Sequence, residues 1–224
     1  MILVAARNEA DRIGATIEAL AGTFPGAEIV VADDASGDGT AEAAMRAGAQ
    51  VISRGRPHGK GGNMTAAAYA VIERAGGADP PPFLLCDGDL GASAARLAPL
   101  VDAVRSGECD LAVAAFSRRI GGGFGAALGF ARWAIRRRCG AEPAAPISGQ
   151  RAMSAAVLRE VVPFARGWGM EIGITIDAVR AGYRLREYEL DLEHRAGGRS
   201  LRGFAHRAAQ LRDFARVYVS RRPR

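Results

Sequence analysis

Phe83-Leu84-Leu85-Cys86-Asp87-Gly88-Asp89 is the stretch on which the reading of this chain turns. Its first four residues are apolar and follow three consecutive prolines, Pro80 to Pro82, so they read as a short buried strand. The strand runs into two carboxylates one residue apart. In an open α/β sheet the carboxyl ends of the strands are where ligands bind. Two close anionic groups repel unless a cation lies between them, and a hard divalent ion with oxygen ligands suits that place. The competing reading is a simple turn, which Asp and Gly also make well.

Working outward, the same pattern of apolar run and helix repeats. Residues 2–6 form a first strand and residues 9–22 a helix with Ile13, Ile17 and Leu20 on one face. Residues 28–32 form a second buried strand that ends at Asp33-Asp34. Residues 40–48 are helical, 50–53 are a third strand, and a glycine-rich turn enters a helix over 63–74. After the 83–86 strand come a helix over 93–105 and a strand over 110–116. Alternation at this spacing argues for βαβ units, a mostly parallel sheet and helices on both faces. The loops at residues 7–9, 33–38 and 87–89 should then share one cleft.

In the second half a glycine-rich loop at 120–125 precedes an arginine-bearing helix over 126–138. Ser148-Gly149-Gln150-Arg151 marks a turn, Gly167-Trp168-Gly169-Met170-Glu171 leads into a helix over 171–181, and 184–193 alternates like a half-exposed strand. The last helix is expected over 200–220. Its apolar positions Leu201, Phe204, Ala208, Leu211, Ala215 and Tyr218 either pack on the domain or lie on an anionic membrane surface.

The chain has 224 residues, ample for one large domain, and no apolar run near the roughly 20 residues that span a bilayer. No basic-then-apolar leader is read at the start. Three scattered cysteines, Cys86, Cys109 and Cys139, show no zinc or redox spacing, so reduced thiols and a cytoplasmic protein are expected, in contact at most with an inner membrane surface. The net charge of +6 is uneven. Residues 1–118 hold 10 basic and 15 acidic side chains, and residues 119–224 hold 20 and 9. The basic half favours an anionic partner. Of the 30 basic residues a single one is lysine, Lys60, inside Gly59-Lys60-Gly61-Gly62. A compact ammonium fits a tight pocket where a guanidinium does not.

Taken in order, Ala6-Arg7-Asn8-Glu9, Asp33-Asp34-Ala35-Ser36-x-Asp38-x-Thr40, Gly59-Lys60-Gly61-Gly62, Asp87-x-Asp89, the glycines at 121–125 and Ser148-Gly149 resemble the family 2 glycosyltransferases of the GT-A fold. The polyprenyl-phosphate sugar synthases are similar. The segment from Gly167 to Gly173, with His194-Arg195, is similar to the glucosyl-3-phosphoglycerate synthases. The resemblance implies an α/β, GT-A type Rossmann-like three-layer sandwich with a mostly parallel central sheet. It implies a single domain whose residues 1–118 bind a nucleotide-diphosphate sugar and whose residues 119–224 bind the acceptor. Ala6, Arg7, Glu9, Asp34, Lys60 and Gly88 would bind the donor. Asp87, Asp89 and His194 would hold Mg²⁺ or Mn²⁺. Gly91 stands where the polyprenyl-phosphate enzymes usually have Gln, and the chain starts without the longer leading segment of the phosphoglycerate branch. The phosphorylated acceptor therefore stays open between a polyprenyl phosphate and a small acid.

A metal beside Asp89 would neutralise the charge that develops on a diphosphate leaving group. For an acceptor hydroxyl, Glu171 is the candidate base, with helix capping or pairing to an arginine as its alternative. Arg118, Arg119, Arg132 and Arg136 to Arg138 either meet a phosphorylated acceptor or form a solvated helix face. Three rivals fit less well. A sugar-phosphate nucleotidyltransferase should carry a Gly-rich basic turn after the first strand. A dinucleotide oxidoreductase needs Gly-x-Gly-x-x-Gly there. A non-catalytic nucleotide or anion binder is possible on charge alone, but no RNA-stacking aromatic cluster is present and no nucleic-acid partner is expected.

Overall fold

The computed structural model describes residues 1–74, 80–117, 125–193 and 201–222, the side chains of 201–208 excepted. The expected loop at 120–124, the arginines at 118, 119 and 195, His194 and His206 lie outside that description.

Among the described residues seven strands form one sheet in the order β3-β2-β1-β4-β6-β5-β7. They are β1 (Ile2–Ala6), β2 (Ile29–Asp33), β3 (Gln50–Ser53), β4 (Phe83–Asp87), β5 (Leu111–Phe116), β6 (Arg151–Met153) and β7 (Leu185–Leu190). Six run parallel; β6 is antiparallel to both its neighbours, β4 and β5. Eight α-helices accompany them among the described residues: α1 (Ile13–Thr23), α2 (Thr40–Arg46), α3 (Lys60–Arg74), α4 (Ala98–Arg105), α5 (Gly125–Cys139), α6 (Ala155–Val161), α7 (Met170–Arg180) and α8 (Leu201–Ser220).

The three layers arise from the two-residue period of a strand. Ile2 and Val4 point to one face and pack with Ile13, Ile17 and Leu20 of α1, Ala44 of α2 and Leu100 of α4. Leu3, between them, points to the other face and packs with Met64 and Ala67 of α3, Val157 and Leu158 of α6, and Ile174 of α7. A third cluster joins Ala131 and Ile135 of α5, Ile172 and Ile176 of α7, and Phe214 and Val217 of α8. The last helix therefore packs on the protein. Among the described side chains of 209–220, Phe214 and Val217 are buried, Leu211 packs against them and Ala215 is exposed, so this part of the helix turns its apolar side to the protein. No helix among the described residues is long and apolar enough to cross a membrane.

Two expected helices start later than their sequence periodicity implies. In the first, the N–H groups of Asn8, Glu9 and Ala10 are taken by Ser36 Oγ, Thr40 Oγ1 and Asp38 Oδ2 at 2.9, 2.9 and 3.2 Å, and helical geometry begins at Ile13. In the second, Gly91–Leu97 is 3₁₀ and the α-helix starts at Ala98, with Pro99 in its first turn where its missing N–H costs nothing.

Candidate active site

Leaving β1 the chain moves outward in one direction through β2 and β3, and β4 lies on β1's other side. The crevice between β1 and β4 is thus a topological switch point, the place where such sheets bind ligands. Ala6 pairs in register with Asp33, and Ala5 with Asp87. The carboxyl ends of three adjacent strands thereby bring together the loops at 7–9, 33–38 and 87–89, as expected.

The 33–40 loop and the 7–10 loop hold each other. Ala6 C=O accepts from Asp34 N–H at 3.0 Å, Gly37 N–H donates to Asn8 Oδ1 at 3.1 Å, and Asp33 receives Ser36 and Ser53 hydroxyls. Asn8 and Ala35 both adopt positive φ, 56° and 55°. Non-glycine residues held there mark a loop over-determined by its surroundings.

Asp34 is buried and fastens the next loop. Its Oδ1 accepts from His58 N–H at 2.7 Å, Gly59 N–H at 3.1 Å and Asn63 Nδ2 at 2.9 Å, and Arg7 Nη1 lies 3.3 Å from Oδ2. A carboxylate that collects these donors orders the residues immediately before Lys60.

Lys60, the first residue of α3, then reaches into the crevice. Its Nζ lies 2.6 Å from Asp87 Oδ1 and 2.7 Å from Glu171 Oε1. Its side chain is 15% exposed and that of Glu171 4%. Burial alone would push the lysine pKa down; the two carboxylates outweigh it and hold the ammonium above its ordinary value. The sequence alternatives for Glu171 included an arginine partner; its partner is this lysine.

On the far side of Asp87, Gln150 Nε2 donates to Oδ2 at 3.1 Å. Gly149 passes so close that a Cβ there would lie 2.5 Å from Asp87 Oδ2 and 2.6 Å from Lys60 Nζ, so any side chain there would displace one of those two groups. Below, Arg151 is fully buried and donates to Ser148 C=O at 2.8 Å and Thr175 Oγ1 at 2.8 Å. Burial pushes its guanidinium down to about 10, against the pull of Glu171 and Glu187. The 148–151 segment is thus part of the site and also the start of β6.

The 87–89 turn has its own supports. Gly88 N–H donates to Ala5 C=O at 2.9 Å, Thr16 Oγ1 donates to Gly88 C=O and accepts from Gly91 N–H, both at 2.8 Å, and Arg12 Nη1 reaches Asp89 C=O at 2.8 Å. Thr16 and Arg12 were not singled out by sequence, and Gln150 and Arg151 were read only as part of a turn. Thr16 carried a readable signal, a polar residue on the buried face of an amphipathic helix.

Among the described residues, no three His, Cys, Asp or Glu side chains could hold a metal ion by themselves. Asp87 and Asp89 at a strand end still fit Mg²⁺ or Mn²⁺, which such sites bind through one or two carboxylates plus substrate phosphate. The α5 arginines are engaged locally: Arg132 Nη2 donates to Ala144 C=O at 2.7 Å, Arg136 lies 3.6 Å from Glu142, and Arg138 stacks on Tyr218 at 3.6 Å. Asp177 pairs with Arg221 at 2.5 Å.

A mostly parallel sheet with Asp-x-Asp at its switch point and a lysine against the first Asp defines a GT-A scaffold, a Rossmann-like fold built for nucleotide-sugar chemistry. The chain belongs to glycosyl transferase family 2, whose family model matches residues 1–161. It is a glycosyltransferase. The glucosyl-3-phosphoglycerate synthase of Mycobacterium tuberculosis, solved with Mn²⁺, UDP and phosphoglyceric acid, is similar at TM-score 0.78 and 25% identity over 98% of this chain and 77% of that one. The same synthase with Mn²⁺, UDP-glucose and phosphoglyceric acid gives 0.76 and 26% over 98% and 78%. A structure described as a mycobacterial protein gives 0.78 and 29% over 98% and 73%. No sequence among curated proteins matches significantly.

Proposed function

We propose that this enzyme transfers a hexose from a uridine-diphosphate sugar to a small phosphorylated acid of the phosphoglycerate type, with Mn²⁺ or Mg²⁺. The observation that carries the reading is the cluster Asp87–Lys60–Glu171 beside Asp89 at the switch point, in a chain similar over 98% of its length to a synthase solved with such a donor, metal and acceptor.

In this reading residues 1–118 hold the donor and residues 119–224 the acceptor. Arg7, Glu9 and Asp34, with the backbone of Ala6 and Gly88, shape the nucleoside pocket. Asp87, held by Lys60 and Gln150, and Asp89, two residues on, are the carboxylates that would hold the metal with the diphosphate. His194, the third ligand implied by resemblance, belongs to this proposal as a residue outside the described structure. Bound there, the metal supplies charge neutralisation for the departing nucleotide. Lys60 fixes Asp87 and Glu171 relative to each other. Glu171, the buried carboxylate of the crevice, takes the proton of an acceptor hydroxyl.

The test is nucleoside-diphosphate release, UDP or GDP, from a panel of UDP- and GDP-sugars with Mn²⁺, against 3-phosphoglycerate, glycerol 3-phosphate and a polyprenyl phosphate, with and without chelator. The reading expects chelator-sensitive release stimulated by the phosphorylated acid and lost in Asp89→Ala. Stimulation by the polyprenyl phosphate alone would replace the acceptor; no donor turnover under any condition would end the proposal.

A further inference from the structure

The family match ends at residue 161; the turn Gly167–Gly169 and α8 lie beyond it. One side chain joins the two. Asp213 of α8 is 9% exposed, and its Oδ2 accepts the Trp168 N–H at 3.3 Å. Its Oδ1 lies 3.3 Å from Arg212 Nε and 3.3 Å from Arg216 Nη1, both on the exposed side of the helix. One oxygen thus meets solvent-side arginines, and the other is turned inward onto the turn.

The turn is shaped to receive it. Gly167 has φ +58°, and a Cβ there would collide with Asp213 Oδ2. A Cβ on Gly169 would collide with Val217 of the same helix. On its opposite side the segment lies against the loop that carries Lys60. A Cβ on Gly61 would collide with Ala165 C=O, and one on Gly59 would lie 3.3 Å from Gly167 Cα. Phe164 N–H is also tied to Thr65 Oγ1 of α3 at 3.0 Å. Backbone therefore rests on backbone between residues 165–167 and residues 59–61, and α8 bears on the turn through the Asp213 and Val217 side chains.

Both ends of the Lys60–Glu171 pair hang from this stack. Lys60 stands between Gly59 and Gly61, and Glu171 is two residues beyond Gly169. The contacts Lys60 makes, 2.6 and 2.7 Å, do not survive an ångström of relative movement.

We propose that Asp213 is a positioning residue for the transfer site: by holding the Gly167–Gly169 turn against residues 59–61, it keeps Lys60 and Glu171 in register with Asp87. The proposal rests on the transferase reading for its kinetic consequence and on the structure alone for its mechanical one.

The test compares Asp213→Ala and Asp213→Asn in the full chain; Asn keeps an oxygen for the Trp168 N–H. Amide hydrogen exchange is followed in peptides covering 59–63 and 165–171, with β1 as internal control. In parallel, kcat for UDP release and the Kd for UDP with Mn²⁺ are measured. We expect faster exchange in both peptides of the Ala variant, unchanged β1, a kcat lower by about 10- to 100-fold, and a UDP Kd within about threefold of wild type. Asn should restore exchange protection and most of kcat. Unchanged exchange at 59–63 in the Ala variant, or a kcat and a UDP-binding capacity that fall only with the folded fraction, overturns the proposal. A wild-type protein that turns over no donor sinks the transferase reading, while the exchange measurement still decides the role of Asp213.

Discussion

Replacing Lys60 by Met should cost more stability than any other single change at the crevice, because it strips the counter-charge from a carboxylate that has almost no water. Glu171 is 4% exposed, whereas Asp87 is 32% exposed and keeps Gln150 as a donor. The penalty is therefore set by Glu171. Leaving a buried charge unpaired costs about 3–5 kcal/mol. The guanidinium of Arg151 acts on Glu171 through space, which places the loss near the lower end, at about 3 kcal/mol. For a chain of this size that corresponds to a melting temperature lower by about 6–12 °C. Urea unfolding followed by circular dichroism measures it directly. The double variant Lys60→Met/Glu171→Gln removes both buried ions and should recover at least about half of the loss. The Lys60 pKa is raised in the folded protein. Its contribution is thus fully present below the unfolded value of about 10.4 and is lost only as pH climbs through the higher folded value. The wild-type benefit should accordingly be flat between about pH 6 and 9. A loss under about 1 kcal/mol in the single variant, or no recovery in the double, would refute the argument that Lys60 neutralises a buried Glu171.

The same contacts lead to two further outcomes, and a distant ion pair to a third. Gly149→Ala places a methyl 2.5 Å from Asp87 Oδ2 and 2.6 Å from Lys60 Nζ, so donor turnover should fall by about 100-fold or more while circular dichroism stays native. Asp89→Asn should weaken Mn²⁺-dependent UDP binding in calorimetry by about tenfold or more; unchanged binding would remove Asp89 from the metal site. Far from the site, hydrogen bonds from Arg184 hold the Asp110 carboxyl below its ordinary value. That stabilisation is present above the unfolded pKa of about 3.9 and is lost as pH falls through the lower folded value, so urea midpoints taken from about pH 5 to 2.5 should drop more steeply in wild type than in Asp110→Asn.

How much of this could be read from the residues depended on the distance over which each group finds its partners. β1 has the bounds its apolar run implies, since a buried strand announces itself within five residues; β3, an edge strand with only Val51 and Ile52 half-buried, keeps its expected bounds too. The start of α1 does not, because the donors at 8–10 are claimed by Ser36, Asp38 and Thr40, about thirty positions away. β6 is three residues long and opens on a buried arginine, and it is a strand because β4 and β5 flank it; nothing local says so. α6 is a different case, since Ser154 accepts from Val157 N–H as an N-cap ahead of the apolar positions 155, 157, 158 and 161, a local signal that the sequence reading did not use. Asp87, Asp89, Lys60 and Glu171 each stood out singly by charge and setting, but their convergence is tertiary. The lone lysine joins the two levels. In a chain that otherwise uses arginine throughout, position 60 faces two carboxylate oxygens at 2.6 and 2.7 Å, with the Gly149 backbone pressed against the same nitrogen. A planar guanidinium carries its charge over three nitrogens and needs a wider slot, whereas a single ammonium places its full charge on one atom. The composition anomaly and the crowded crevice are the same constraint, met once in the sequence and once in space.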